Sequence, residues 1–355
     1  MPSRPARPRL AEVAARAGVS TASVSLVLRG RPGPGAATRE AVLGAARELG
    51  YRPDRTASLL ARRRTQLLGV TMNVRSTFHA ELLEDLQAAA EERGYDVVVS
   101  PLTRTHDERR AVETLLDSRC EALLLLGPTM PDPELAALAA DHHVVAIGRR
   151  AAGAAVDVVR AADDVGVTLA VEHLVSLGHR RITFVDGPRG PIATLRRQGY
   201  RSAVRRLVGA DAVRILPGGD TEDAGSEAVA AMLAEAAGDL PQTAAPTTAL
   251  VVFNDRSALG VLDRLRRAGV DVPGSMSLVG YDDSPLARLA TVDLTTVSQA
   301  PEAMARAAVQ AATERLEGGR TEPVDIVLEP HLVVRGTTAP PPGGRLTGPR
   351  GRAPR

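Results

Sequence analysis

Four polar residues stand just beyond short apolar runs: Arg149 after VVAI, Asn254 and Asp255 after ALVVF, and Asp282 after SLVG. In open α/β sheets, ligands sit outside the carboxyl ends of the strands, so side chains at such positions converge on a crevice. A guanidinium offers paired donors, a carboxylate offers acceptors and an amide offers both; together they can bond vicinal hydroxyls. That chemistry is recognition of a small molecule rather than its conversion. No lysine occurs among the 355 residues, which removes a Walker A lysine, a Schiff-base lysine and a kinase strand lysine. G-x-S-x-G, H-E-x-x-H and C-x-x-C are also absent, so neither catalysis nor a cofactor is expected. His142, His143 and His106 are isolated, and His173 and His179 stand six residues apart, off a common helix face. Cys120 is the single cysteine; it can form no internal disulfide, reads as a buried inert thiol and fits a reducing cytoplasm.

The elements that must position these residues alternate. LLGVT is followed by an amphipathic stretch at 80–93, then DVVVS, and later ALLLL, VVAI, RITFV, ALVVF and SLVGY, each separated by helical pattern. Continuous apolar strands between helices imply parallel sheets covered on both faces. Two such sets predict an α/β core of two Rossmann-like lobes resembling periplasmic binding proteins, with a ligand cleft at the strand ends. LTTVSQ, a helix over 301–317, VDIVL and HLVVRG are short enough to cross back and complete both lobes. The expected core spans 66–338: lobe 1 at 66–162 and 297–322, lobe 2 at 163–293 and 323–338. The remaining 339–355, rich in Pro, Gly and Arg, reads as a disordered tail. No apolar run is long enough to span a bilayer, and the basic N-terminus has no apolar segment behind it, so neither membrane nor secretory signal is expected.

The charge is unevenly spread. Residues 1–65 hold 13 arginines against 4 acidic residues, a balance of +9, while 66–338 hold 27 against 38, a balance of −11. A basic head on an acidic body suits a nucleic-acid-binding module joined to a separate domain. The head contains AEVAARAGVSTASVSLVL, in which Leu10, Val13, Ala14 and Ala17 share one helical face and Val24, Val27 and Leu28 another. Gly18 between them supplies a left-handed stop, and Ser20 can cap the restart. This is the helix-turn-helix pattern, where two helices cross steeply at a short turn. A third helix over 37–49, with Val42, Leu43, Ala46 and Leu49 inward, completes an all-α headpiece at 1–53. A linker at 54–65 follows, its Thr56 to Arg63 segment too short to be a stable helix alone.

With TREAVLGAARELGYRPD and that linker, the chain resembles the lactose-repressor (LacI/GalR) family of bacterial transcription regulators from about Leu10 to Thr338. The resemblance implies a cytoplasmic DNA-binding repressor, a homodimer or higher assembly, whose operator affinity is set by a sugar-like effector between the lobes. It implies that Thr21, Ala22 and Leu26 face base edges, that Ser20, Ser23, Ser25, Arg29, Arg62 and Arg63 meet phosphates, and that Leu60 wedges into a minor-groove step. It places Asn73, Phe78 and Arg196 with Arg149, Asn254, Asp255 and Asp282 around the effector. Four departures stand out: Leu26 replaces an arginine suited to guanine, Gly35 a capping Ser or Thr, Asn73 an aspartate, and Thr221 an aromatic. Two readings without a DNA role stay open here: a solute-binding protein and a lobed sugar-metabolising enzyme.

Overall fold

A computed structural model describes residues 8–28, 32–51, 64–151, 156–237 and 246–343. The chain divides into two compact units, 1–65 and 66–355.

In the first unit, α1 (Leu10–Ala17) ends at Gly18, whose φ of +66° is the left-handed cap that glycine takes without strain. Helix α2 (Thr21–Leu28) starts at once because Ser20 Oγ accepts Ser23 N–H at 3.1 Å. The two helices meet at 102°. Helix α3 (Ala36–Glu48) begins at Gly35 with no side-chain cap, as the sequence departure implies. Each helix is marginal alone; packing Val13, Val24, Val27, Val42, Ala45 and Ala46 together supplies the stability. Leu43, expected in this core, is exposed instead, because α3 turns Val42, Ala45 and Ala46 inward and Leu43 lies off that stripe.

The second unit carries two parallel sheets. The first has order β11-β5-β4-β3-β1-β2, built from β1 (Leu67–Asn73), β2 (Asp96–Leu102), β3 (Ala122–Leu126), β4 (His143–Ile147), β5 (Asp157–Ala161) and β11 (Asp325–Leu328). Helices α4 (Thr77–Glu92), α5 (Glu108–Asp117), α6 (Asp132–Asp141) and α11 (Pro301–Leu316) connect or cover it. Helix α4 starts three residues before the expected 80, since Ser76 Oγ caps it by accepting His79 N–H at 3.2 Å. The second sheet has order β7-β6-β8-β9, from β6 (Ile182–Val185), β7 (Arg214–Leu216), β8 (Ala249–Val252) and β9 (Ser277–Val279). Helices α7 (Asp163–Ser176), α8 (Pro191–Leu207), α9 (Glu222–Ala237) and α10 (Asp255–Arg267) belong to it. Beside β9, β10 (Thr296–Ser298) makes an antiparallel pair with β12 (His331–Val333). The inner strands β1, β3, β4, β5, β6 and β8 are buried on both faces, the edge strands β2, β7 and β11 are partly exposed, and each sheet has its own apolar core.

The crossing-back segments are distributed differently from the expected boundaries. Residues 296–298 lie in the second lobe, where Asp282 bridges Ser298. VDIVL, assigned above to the second lobe, pairs through β11 with β5 in the first. Val324, Ile326 and Leu328 pack on the first core, and Arg160 Nε donates to Asp325 Oδ1 at 3.1 Å. The tail begins later than 339. Ala339 is held by His179, whose Nε2 lies 2.8 Å from its carbonyl oxygen, and by Ser277 Oγ, which accepts its N–H at 3.0 Å. Residues 344–355 lie outside the described set. Cys120 is only partly buried, beside Gly69, and burial pushes its thiol up to about 11, as an inert thiol requires. No single helix among the described residues is long and apolar enough to cross a membrane.

Candidate functional site

Three of the expected DNA-facing residues, Thr21, Ala22 and Leu26, are exposed on α2, opposite its buried Val24 and Val27. Leu26 is 40% exposed, so its side chain is free to meet an apolar group. Ser20 is exposed as well, with its hydroxyl 3.0 Å from that of Ser23. Ser23 and Ser25 are half-buried. Arg29, Leu60, Arg62 and Arg63 lie outside the described residues.

In the second unit a cavity of about 220 Å³ opens between the carboxyl ends of the two sheets. Of the seven expected residues, Asn73, Phe78, Arg149, Arg196, Asn254 and Asp282 line it and Asp255 does not. Asp255 faces inward at the start of α10: its Oδ2 accepts Ser284 N–H at 2.7 Å and its Oδ1 accepts the Thr296 hydroxyl at 2.6 Å. It therefore fixes the loop that carries Asp282 and makes no wall of the cavity. Phe78 contributes an edge while packing mainly into the first core. Most other walls are apolar, among them Leu82, Leu126, Ile147, Ile192 and Phe253.

Arg196 is the centre of the second lobe's half. Helix α8 delivers it into a site where it is 3% exposed. Its Nε donates to Asp163 Oδ1 at 2.7 Å and its Nη1 to the Phe253 carbonyl at 2.5 Å; Nη2 lies 3.9 Å from Asp282 Oδ1. The guanidinium carbon sits 3.6 Å from the Tyr281 ring centroid and 4.7 Å from that of Phe253, so two aromatic faces hold the cation. Gly166 makes room for Tyr281: a Cβ there would come within 2.5 Å of its hydroxyl. Burial pushes Asp282 up to about 8 against the pull of Arg196, and raises Asp163 too. Asp282 also has φ +119°, strained for any L side chain, and Gln299 Nε2 donates to its Oδ1 at 2.8 Å.

Arg149 and Asn254 are more committed than their types suggest. Arg149 Nη1 donates to Met130 O at 2.9 Å and Nε to Arg150 O at 2.9 Å, while Nη2 pairs with Asp132. Its donors thus brace the loop after β3 that walls the cavity. Asn254 caps α10, its Oδ1 accepting Ser257 N–H at 2.9 Å, and donates to Asp220 O at 3.2 Å. Asn73 Oδ1 accepts Arg75 N–H at 3.0 Å and shapes the turn into α4. Thr221, where an aromatic was noted as missing, caps α9 through Ala224 N–H at 3.3 Å.

His79 and Gln299 line the cavity and were not anticipated. Gln299 follows β10 and obeys the rule that found Asp282, a polar residue just past an apolar strand; LTTVS is more polar than the other strands and hid it. Burial pushes His79 down to about 4. The unfolded chain takes a proton near pH 6.5 that the folded ring refuses, so the stability His79 contributes is present above that pH and is lost as pH falls toward 4. His79→Phe should therefore flatten the acid limb of a denaturation-versus-pH profile by about 2 kcal/mol between pH 7 and 5. Parallel profiles would show that the ring titrates freely.

A steeply crossed helix pair whose second helix exposes Thr21, Ala22 and Leu26, joined in one chain to a two-lobed core with a cleft, is the architecture of a DNA-binding regulator. Residues 9–54 match the family described as bacterial regulatory proteins, lacI family, and residues 171–338 match the periplasmic binding protein-like domain. The HTH-type transcriptional regulator CelR of Thermobifida fusca is 34% identical over 340 residues, covering 93% of this chain and 98% of CelR. Among solved structures, the lac repressor dimer bound to operator and the anti-inducer ONPF is 27% identical with a TM-score of 0.78, covering 94% of this chain and 100% of that one. A CelR–cellobiose complex is 32% identical with a TM-score of 0.64, covering 93% and 100%. The chain belongs to the LacI family of bacterial regulatory proteins. It is a DNA-binding transcription regulator and not an enzyme, and the readings without a DNA role fall.

Proposed function

We propose that the chain represses transcription as a cytoplasmic homodimer or higher assembly, and that a compact sugar-like effector in the cleft sets its operator affinity. The observation that carries this reading is the cavity itself: six polar or aromatic residues from separate strand ends and helices converge on it, and it is walled by both lobes. Its volume of about 220 Å³ lies below the ~300–1,000 Å³ of drug-sized sites, which favours a small ligand. An effector that prefers one lobe arrangement shifts the population toward it, and the DNA-binding heads respond through the linker at 54–65. On the operator, Thr21, Ala22 and Leu26 read base edges, with Leu26 suited to a thymine methyl rather than guanine. Ser20, Ser23, Ser25, Arg29, Arg62 and Arg63 contact phosphates and Leu60 wedges the central step.

The test is a footprint of the full chain on DNA flanking its own gene, titrated with neutral mono- and disaccharides. Protection that a sugar relieves supports the reading, and protection indifferent to every sugar defeats the effector part. Asp282→Ala should weaken the sugar response by about 1–3 kcal/mol of lost or unpaired hydrogen bonding and leave operator affinity unchanged. Equal loss of DNA binding would make Asp282 a structural residue alone.

A further inference from the structure

His79 spends only half of its hydrogen-bonding capacity on the protein. Its Nδ1 accepts Asn73 N–H at 3.1 Å, so that nitrogen carries no proton. The low pKa keeps the ring neutral at physiological pH, which leaves its one N–H on Nε2. Nε2 has no hydrogen-bond partner among the described residues. Its neighbour is Gly127 at the end of β3, where a φ of +56° favours glycine. A Cβ there would stand 3.5 Å from Nε2; glycine leaves the donor open on the cavity that both residues line. The contrast with Arg149 is sharp, because its donors are already engaged by backbone oxygens and Asp132, and the Asn254 amide already donates to Asp220 O.

We propose that His79 Nε2–H is the specificity-determining donor of the first lobe, selecting a compact neutral ligand that presents a hydroxyl or ring oxygen of a sugar beside Gly127. The inference rests on the cleft being the effector site. A ligand without that oxygen leaves a half-buried donor unpaired, and sites built around a donor discriminate strongly on this ground. The neutral ring adds no charge of its own to the cleft, so its selection acts through the position of the oxygen it meets beside Gly127.

Calorimetric titration of the full chain with D-ribose, D-glucose and cellobiose tests it. At least one sugar should bind the parent. His79→Asn keeps an acceptor near Nδ1 for Asn73 N–H and lacks the far donor; it should bind that sugar about tenfold more weakly. His79→Gln places an amide nitrogen near Nε2 and should stay within about threefold. Equal affinity of the parent and His79→Asn overturns the donor role, as does equal loss in both variants. If none of the three sugars binds while the operator is still bound, the sugar reading of the cleft falls and this inference with it. Nitrogen-15 NMR of labelled histidine gives a ligand-free check: the Nε2–H tautomer is expected for His79, and the Nδ1–H tautomer overturns the proposal by itself.

Discussion

Arg196→Met is expected to destabilise the second unit by about 3–5 kcal/mol, the cost of removing one partner from a buried charge network. The guanidinium stands between Asp163 and Asp282, both nearly inaccessible, and satisfies the Phe253 carbonyl as well. Methionine keeps much of the volume against Tyr281 and Phe253 but leaves two carboxyls without their cation. Both must then hold protons in the folded state more tightly than in the unfolded chain. A group whose folded pKa is raised favours folding at low pH and loses that contribution as pH rises. The deficit of Arg196→Met should thus be largest near pH 8 and shrink toward pH 5. Urea denaturation followed at both pH values measures it. A deficit that does not change with pH would mean that the loss is one of packing against the aromatic rings.

This network also explains why the cleft was only partly legible in the sequence. The rule that polar residues just past apolar strands face a crevice found Arg149, Asn254 and Asp282 from residue order alone, because strand direction fixes where a strand ends. It could not tell a wall from a brace. Asp255 follows the same strand as Asn254 yet turns inward to Ser284 and Thr296, since consecutive residues at a helix start point to different sides. Arg149 lines the cavity while its donors tie down the loop after β3. His79 was missed for the opposite reason: it sits on a helix rather than at a strand end, and only the bond from Asn73 N–H fixes which nitrogen it presents.

The fold was read more completely than its seams. Uninterrupted apolar strands and intervening helices are local signals, and they gave most of both sheets; β5, broken by Asp157 and Arg160, and the three-residue β7 carry too little apolar signal and were not read. Which sheet receives a returning strand is decided by tertiary pairing. VDIVL has an alternating pattern compatible with either lobe, and what places it is the Arg160–Asp325 pair together with the apolar face that Val324, Ile326 and Leu328 share. In the head, the turn at Gly18 and the cap at Ser20 were visible as residue types, whereas Leu43 shows the limit of periodicity. The buried stripe of α3 runs through Val42, Ala45 and Ala46, and Leu43, one residue on from Val42, falls outside it.

Operator affinity is expected to fall steeply with salt, and this tests the assignment of the head. Residues 1–65 carry +9 while 66–338 carry −11, so attraction to DNA resides in the head and the body opposes it. Each phosphate neutralised releases condensed counterions, and log affinity then falls with log salt by about 0.9 per contact on duplex DNA. If a dimer makes about 6–10 such contacts, the slope should lie near −5 to −9, a loss of about 10³–10⁵ in affinity between 50 and 200 mM salt. Gel-shift titrations across that range, on the footprinted site and on an unrelated duplex, give both slopes. The unrelated duplex should show weaker binding with a similar or steeper dependence, since non-specific binding rests almost wholly on phosphates. The difference between the two, at fixed salt, measures the sequence-specific part of binding, which base reading by Thr21, Ala22 and Leu26 and the Leu60 wedge are proposed to supply. A nearly flat dependence on the specific site would mean that the arginines of the head do not meet the phosphate backbone, and the proposal that α2 faces base edges would fall with it.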